Sequence, residues 1–254
     1  MVDSLRTPPG EVRDPSLGVS SRDADTPPGT ESRVATASRT AGTPRRAWRR
    51  QDISGRLLEM TDVPHSTTFV LLAAGAGSRF AGPVHKLLAP VGAMPVITRA
   101  VRAMVAAGGD RCVVITGADT TNGFLDALEG VPTVHNDAWA SGQRSSVLLA
   151  IDTARRAGSS QVVIGLADQP FVTPAAWTAV EHADAAVAVA TYAGRRGNPV
   201  KLRADTWEAF ETLDADPDSG ARVLMERSPE LVMEVACEGS PDDIDTREDL
   251  TKWT

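Results

Sequence analysis

LLAAGAGSRF (residues 71–80) is an apolar run that breaks into glycines and ends on a cation. With the residues before it, TTFVLLAA (67–74) makes a short β-prone segment without polar alternation, as a strand buried on both faces of a parallel sheet requires. Gly75 and Gly77 then free the backbone to turn its N–H groups toward an anion. Three phosphate-binding patterns begin this way, and single residues exclude two. A dinucleotide fingerprint, G-x-G-x-x-G, fits Gly75 and Gly77 but meets Phe80 where its third glycine belongs. A P-loop, G-x-x-x-x-G-K-[ST], fits Gly77 and Gly82 but has Pro83 in place of lysine. What remains is a glycine turn to which Arg79 and Lys86 add fixed positive charge, or a plain turn with two surface cations.

Outward from this turn the pattern alternates. MPVITRAVRAMVAAG (94–108) has helical spacing and stops at Gly108 and Gly109. RCVVITG (111–117) reads as a strand, GFLDALEG (123–130) as a short helix, PTVHN (132–136) as a strand and GQRSSVLLAIDTARRAG (142–158) as an amphipathic helix. QVVIGLAD (161–168) is a fourth strand, followed by a helix N-capped by Thr173 with proline behind it. Residues 185–202 read as two strands around a glycine turn. Helical patterns follow at 204–213 and 219–228, then a strand near 230–236 and a closing helix after DID. This alternation predicts an α/β fold: a single three-layer αβα domain with a mostly parallel, mixed sheet, over residues 66–254. Ligands of such sheets sit at the carboxyl ends of the strands.

Residues 1–65 differ: TPPG occurs twice, Ser, Thr and Arg abound, and no apolar period is present. Such a stretch buries too little to offset the entropy of ordering it, and the expectation is a disordered N-terminal tail. RRAWRR (45–50) is its one distinctive patch, a solvated cationic cluster or a contact for an acidic partner. Met60, just before the patterned part, is an alternative start of translation.

Composition narrows the function classes. The net charge is −7 and aromatics are 4% of 254 residues, which argues against a nucleic-acid partner. No apolar run approaches the roughly 20 residues of a membrane helix. Cys112 and Cys237 lie far apart in apolar stretches and read as reduced, buried thiols, which points to a cytoplasmic setting. His85, beside Lys86, has no partner identifiable from sequence and reads as structural or exposed.

LLAAGAGSRFAGPVHKLLAPV (71–91) resembles the signature of the molybdenum cofactor cytidylyltransferases, within the nucleotidyltransferases that share a MobA-like NTP transferase fold. Further segments follow in the family's order. NDAWASGQRSSVLLAI (136–151) resembles the part that reaches base and ribose. GLADQP (165–170) resembles the strand end with a metal-binding aspartate, here Asp168. GRRGNPV (194–200) and DSGARVL (218–224) resemble acceptor-side segments, and DIDTREDL (243–250) the closing motif, whose aspartate matches Asp245. One departure is Asn198, where the family often has histidine; it removes any proton-handling role expected there.

The resemblance implies transfer of CMP from CTP to the phosphate of molybdopterin, with release of pyrophosphate. It implies Lys86, Arg79, Asp168 and Asp245 as catalytic residues, and Mg²⁺ (or Mn²⁺) held by Asp168 and Asp245. Nucleotide contacts would come from Ala73, Ala74, Gly75, Ala76, Gly77, Ser78, Arg79, Lys86, Gly142, Ser146 and Asp168. Acceptor contacts would come from Arg195, Arg196, Gly197, Asn198, Asp218, Gly220 and Arg222. A client molybdenum hydroxylase is the implied protein partner. LAAG in the first loop, rather than LAGG, resembles the cytidylyl branch. The alternatives are cytidylyl or guanylyl transfer to another small phosphorylated acceptor, and a non-catalytic accessory protein that binds nucleotide or cofactor.

Overall fold

The computed structural model describes residues 66–80 and 84–253. The expected tail over 1–65, with its RRAWRR patch, lies outside the described residues. Among the described residues, nine strands and seven α-helices follow in chain order. They are β1 (Thr67–Ala73), β2 (Pro90–Val91), β3 (Met94–Pro95), α1 (Val96–Gly108), β4 (Cys112–Thr116), α2 (Asn122–Asp126), β5 (Thr133–His135) and α3 (Gln143–Arg156). Then come β6 (Gln161–Leu166), α4 (Pro174–His182), β7 (Val187–Tyr192), β8 (Arg195–Arg203), α5 (Trp207–Thr212), α6 (Arg222–Arg227), β9 (Val232–Ala236) and α7 (Arg247–Thr251).

Seven strands form one sheet in the order β5-β4-β1-β6-β8-β7-β9. β8 is antiparallel to both β6 and β7, and the other pairs are parallel, so one strand runs against the rest. The tight β7–β8 hairpin causes the reversal: Ala193 and Gly194 both have positive φ, at 50° and 80°. β1 lies in the sheet interior and is buried at every position. Its period of two divides the core. Phe69, Leu71 and Ala73 face a cluster with Ile97 and Met104 of α1 and Trp177 of α4. Val70, Leu72 and then Ala74 face Val147 and Ile151 of α3 with Phe210 and Leu224 beyond. This is the expected three-layer arrangement. Among the described residues, no helix is long and apolar enough to cross a membrane.

Some boundaries differ from the sequence reading. Met94–Pro95 leave the expected helix to pair with Pro90–Val91; Pro95 has an extended backbone (φ −55°, ψ 148°), and the helix starts behind it at Val96. The 123–130 helix shortens to Asn122–Asp126 and unwinds through Glu129 and Gly130, both at positive φ. Lys201 is 2% exposed on β8, which no sequence period signals. Its ammonium donates to the carbonyls of Glu181 and Ala183 and so caps the carboxyl end of α4.

Two predictions concern the core. A Cβ at Gly165 would sit 2.5 Å from two atoms of the Trp177 indole, which is itself 2% exposed. Gly165→Ala is therefore expected to lower stability by about 1–3 kcal/mol, read as a lower urea midpoint. An unchanged midpoint would show that Trp177 has room to move. Cys112 is buried, and that burial pushes its thiol from 9.0 up to about 11, against the pull of Arg111. The folded thiol thus keeps a proton that the unfolded chain loses, so its contribution to stability falls as pH rises from 9.0 through about 11. Urea midpoints across that window should decline less steeply for Cys112→Ala than for the unaltered protein.

Candidate functional site

Three backbone segments meet at the carboxyl ends of the parallel strands. Gly75–Phe80 leave β1, Asp168 lies two residues beyond β6, and Asp243–Asp245 precede α7. The last two are tied directly: Ile244 N–H donates to the Asp168 carbonyl at 2.9 Å, and the Ile244 side chain is fully buried. Two aspartates 77 positions apart in the chain thereby acquire a fixed spacing. Asp249 fixes the second of them. Its carboxylate accepts from the N–H groups of Asp245 (3.2 Å) and Thr246 (2.8 Å), while Thr246 Oγ1 accepts from Asp249 N–H, a capping box at the start of α7. Bonds from Lys252 and Thr246 hold the Asp249 carboxyl well below its usual range.

Lys86 joins the two carboxylates. Its Nζ donates to Asp168 Oδ2 and to Asp245 Oδ1, each at 2.8 Å, with only 11% of the side chain exposed. Burial alone would lower the pKa of this ammonium, but Asp168 and Asp245 together outweigh burial and raise it. Arg79 Nη1 reaches Asp245 Oδ2 at 2.8 Å from a side chain that is 77% exposed. Asp243 adds a third carboxyl to the cleft. Burial, and then repulsion from Asp168 and Asp245, raise its pKa.

His85 sets where Lys86 begins. Its Nδ1 accepts from Leu87 N–H at 3.3 Å, and Nε2 lies 3.1 Å from the Gly75 carbonyl. Because the first contact requires an unprotonated Nδ1, Nε2 carries the hydrogen and donates to Gly75. The ring therefore clamps the glycine turn to the 3₁₀ turn Lys86–Leu88. Gly77 has φ 63°, and a Cβ there would come within 3.0 Å of Lys86 Cγ. The glycine is needed for both turn and lysine to fit.

Gly75–Arg79, Lys86, Asp168, Asp243 and Asp245 line a cleft of about 500 Å³. Trp139, Gly142, Gln143, Ser146 and Asp218 line it too. Ser145 and Ser146 hydroxyls both accept from the Asn136 amide at 2.9 Å, which orients the first turn of α3. Gly142 has φ 113°, and a Cβ there would fall 2.6 Å from the Pro217 carbonyl.

Of the nucleotide residues expected from sequence, Ala74, Gly75, Ala76, Gly77, Ser78, Arg79, Lys86, Gly142, Ser146 and Asp168 all line this cleft, and so does Asp245. Ala73 is not among the lining residues; its side chain packs in the core toward α1, because strand alternation turns it away from Ala74. Of the acceptor residues, Asp218 lines the cleft, beside Gly142. Arg195 instead pairs with Asp242 (2.5 Å) and Arg196 with Glu234 (2.7 Å). Gly197 packs against Pro241 and Tyr192, and the Asn198 amide donates to Gln169 Oε1 at 3.1 Å. Arg222 pairs along α6 with Glu226 at 3.2 Å, and Gly220 abuts the Gln143 side chain. His85 and Asp249 were missed as positioning residues. Their partners are mainly backbone atoms, and the one available signal was the T-x-x-D spacing of Thr246 and Asp249.

A wide mixed sheet with glycine turn, lysine and paired aspartates at its carboxyl edge defines an α/β fold of the nucleotidyltransferase kind. The model of the MobA-like NTP transferase domain matches residues 69–232, and the chain belongs to that family. A nucleotidyl transferase from Methanothermobacter thermautotroptrophicus has a similar structure, with 28% identity and a TM-score of 0.62 over 74% of this chain and 95% of that one. The Rv0371c protein of Mycobacterium tuberculosis H37Rv, solved as a complex with manganese, shares the fold at 24% identity and a TM-score of 0.61, over 74% of this chain and 97% of that one. The bifunctional protein GlmU of Agrobacterium fabrum (strain C58 / ATCC 33970) is 29% identical over 124 residues, 48% of this chain. The match spans about a quarter (27%) of that protein's length.

Proposed function

We propose that this protein transfers CMP from CTP to the terminal phosphate of a molybdopterin-type cofactor and releases pyrophosphate. The observation that carries the reaction class is the meeting of Lys86 with both Asp168 and Asp245 beside the glycine turn. In such a reaction an anionic acceptor oxygen attacks the α-phosphorus. The new P–O bond forms as the bond to the bridging α,β-oxygen breaks, and its electron pair leaves with pyrophosphate. The acceptor brings its own nucleophile, so the protein has to orient the reactants and offset charge. Backbone N–H groups of the Gly75–Ser78 turn suit the β- and γ-phosphates. Lys86 and Arg79 supply positive charge where negative charge collects on the leaving group.

Asp168 and Asp245 are the residues that would hold a divalent cation. Asp168 Oδ1 is buried and without a hydrogen-bond partner, an arrangement a carboxylate tolerates when a cation completes it. The donor set is all oxygen, which suits Mg²⁺ or Mn²⁺. When bound, such an ion lends Lewis-acid stabilisation to phosphate oxygens. The manganese complex of the Mycobacterium tuberculosis protein supports the same choice. The cytidylyl assignment, and the molybdopterin acceptor with it, rests on the LAAG turn and the order of the later motifs.

The test is pyrophosphate release from CTP, GTP, ATP and UTP in turn, with Mg²⁺ and purified molybdopterin, and mass spectrometry of the dinucleotide product. CTP is expected to react fastest. Absence of pyrophosphate with all four would overturn the enzyme assignment; a faster GTP reaction would overturn the base.

A further inference from the structure

The cleft lining is chemically mixed. Arg79 and Lys86 lie against Asp168 and Asp245 beside the glycine turn. By the start of α3, the uncharged Trp139, Gly142, Gln143 and Ser146 of the lining are joined by Asp218, which lies next to Gly142. A carboxylate only accepts hydrogen bonds, and it repels phosphate. The part of a nucleotide placed against it must therefore carry N–H or O–H donors.

The backbone that carries Asp218 is tied down, and its side chain is exposed. Arg144 N–H at the start of α3 donates to the Pro217 carbonyl at 2.8 Å. Asp218 N–H donates to Asp216 Oδ1 at 2.8 Å, and Ser219 Oγ to the Asp216 carbonyl at 2.6 Å, so the turn is closed on itself. The turn lies so near α3 that a Cβ on Gly142 would be 2.8 Å from Asp218 Oδ1. Neighbouring arginines are directed elsewhere. Arg144 Nη2 donates to the carbonyls of Phe210 and Leu213 at the end of α5, and its guanidinium lies over the Phe210 ring. Arg222 pairs with Glu226.

Resting on the nucleotidyl-transfer reading above, we propose that Asp218 selects the base by its exocyclic amine, accepting from N4–H₂ of cytosine and rejecting O4 of uracil. Cytosine presents a donor where uracil presents an acceptor, so a carboxylate at this place separates two bases of the same size. This moves Asp218 from the acceptor side of the reaction to the nucleotide side. Asp218→Asn offers both a carbonyl and an amide N–H₂ at the same place, and so serves either base.

The experiment is calorimetric titration of the full chain with the α,β-methylene analogues of CTP, UTP and 2′-deoxy-CTP. The unaltered protein is expected to bind the CTP analogue roughly tenfold or more tightly than the UTP analogue. That ratio should collapse toward one in Asp218→Asn and Asp218→Ala, with the preference for ribose over deoxyribose unchanged. An unaltered CTP-to-UTP ratio in both variants overturns the proposal, as does loss of the ribose preference instead, which would place the carboxylate on the sugar. Failure of the unaltered protein to bind any of the three overturns the parent reading itself.

Discussion

Lys86→Met is expected to slow nucleotidyl transfer on the order of 10²–10³-fold, the usual cost of removing one preorganised group that offsets transition-state charge. Methionine keeps the reach of the apolar stem that lies against Gly77 and lacks only the terminal ammonium, so the loss falls on that group. A second effect separates this role from a merely structural one. Lys86 Nζ stands between Asp168 and Asp245, with all three side chains no more than 20% exposed. Without it the two carboxylates repel each other across a poorly hydrated gap. The melting midpoint of Lys86→Met should therefore fall in metal-free buffer and recover with added Mn²⁺, which can take the vacated place between the carboxylates. An equal loss of midpoint with and without Mn²⁺ would show that Lys86 acts through packing alone.

The second large effect is expected at the aspartates. Asp168→Asn and Asp245→Asn are nearly isosteric, and each should reduce transfer on the order of 10²–10³-fold. Both retain an oxygen for the lysine, so the fold should persist with near-unaltered circular dichroism. Their effects should also be non-additive. The two carboxylates act on one centre, so the double variant should be little slower than either single one. Additive losses would mean that the two aspartates serve different steps. Arg79→Ala offers the contrast: its side chain is largely exposed and meets only Asp245 in the described contacts, and its loss should be the smaller.

The parts of this site legible in the sequence were those tied to local pattern. The unalternated apolar run TTFVLLA marked a buried parallel strand, and Gly75 and Gly77 marked the turn behind it. Exclusion of two phosphate motifs rested on Phe80 and Pro83, and both exclusions are read from the sequence without the structure. Asp168 and Asp245 were legible through the resemblance of GLADQP and DIDTREDL to the family's strand-end and closing segments. What stayed hidden depends on contacts across long stretches of chain. That β8 rather than β7 lies beside β6 depends on which edge the hairpin takes, and two strands around a glycine turn do not specify that edge. Asp218 reaches Gly142 across 76 positions, so its side of the cleft is set by how α5 and α6 pack, not by the DSGAR stretch itself. The resemblance implied Arg195 and Arg196 as acceptor contacts, whereas Asp242 in the last loop pairs with the first and Glu234 of β9 with the second. His85 was undervalued because its partners are a carbonyl and an N–H, which no side-chain motif advertises.

The most direct test is a Mn²⁺ titration followed by electron paramagnetic resonance, in the presence of the α,β-methylene analogue of CTP. The predicted result is one tightly bound Mn²⁺ per chain, lost to a similar extent in Asp168→Asn and in Asp245→Asn. Retention of that ion at unaltered affinity in either variant would contradict the shared role of the two carboxylates, and with it the mechanism built on them.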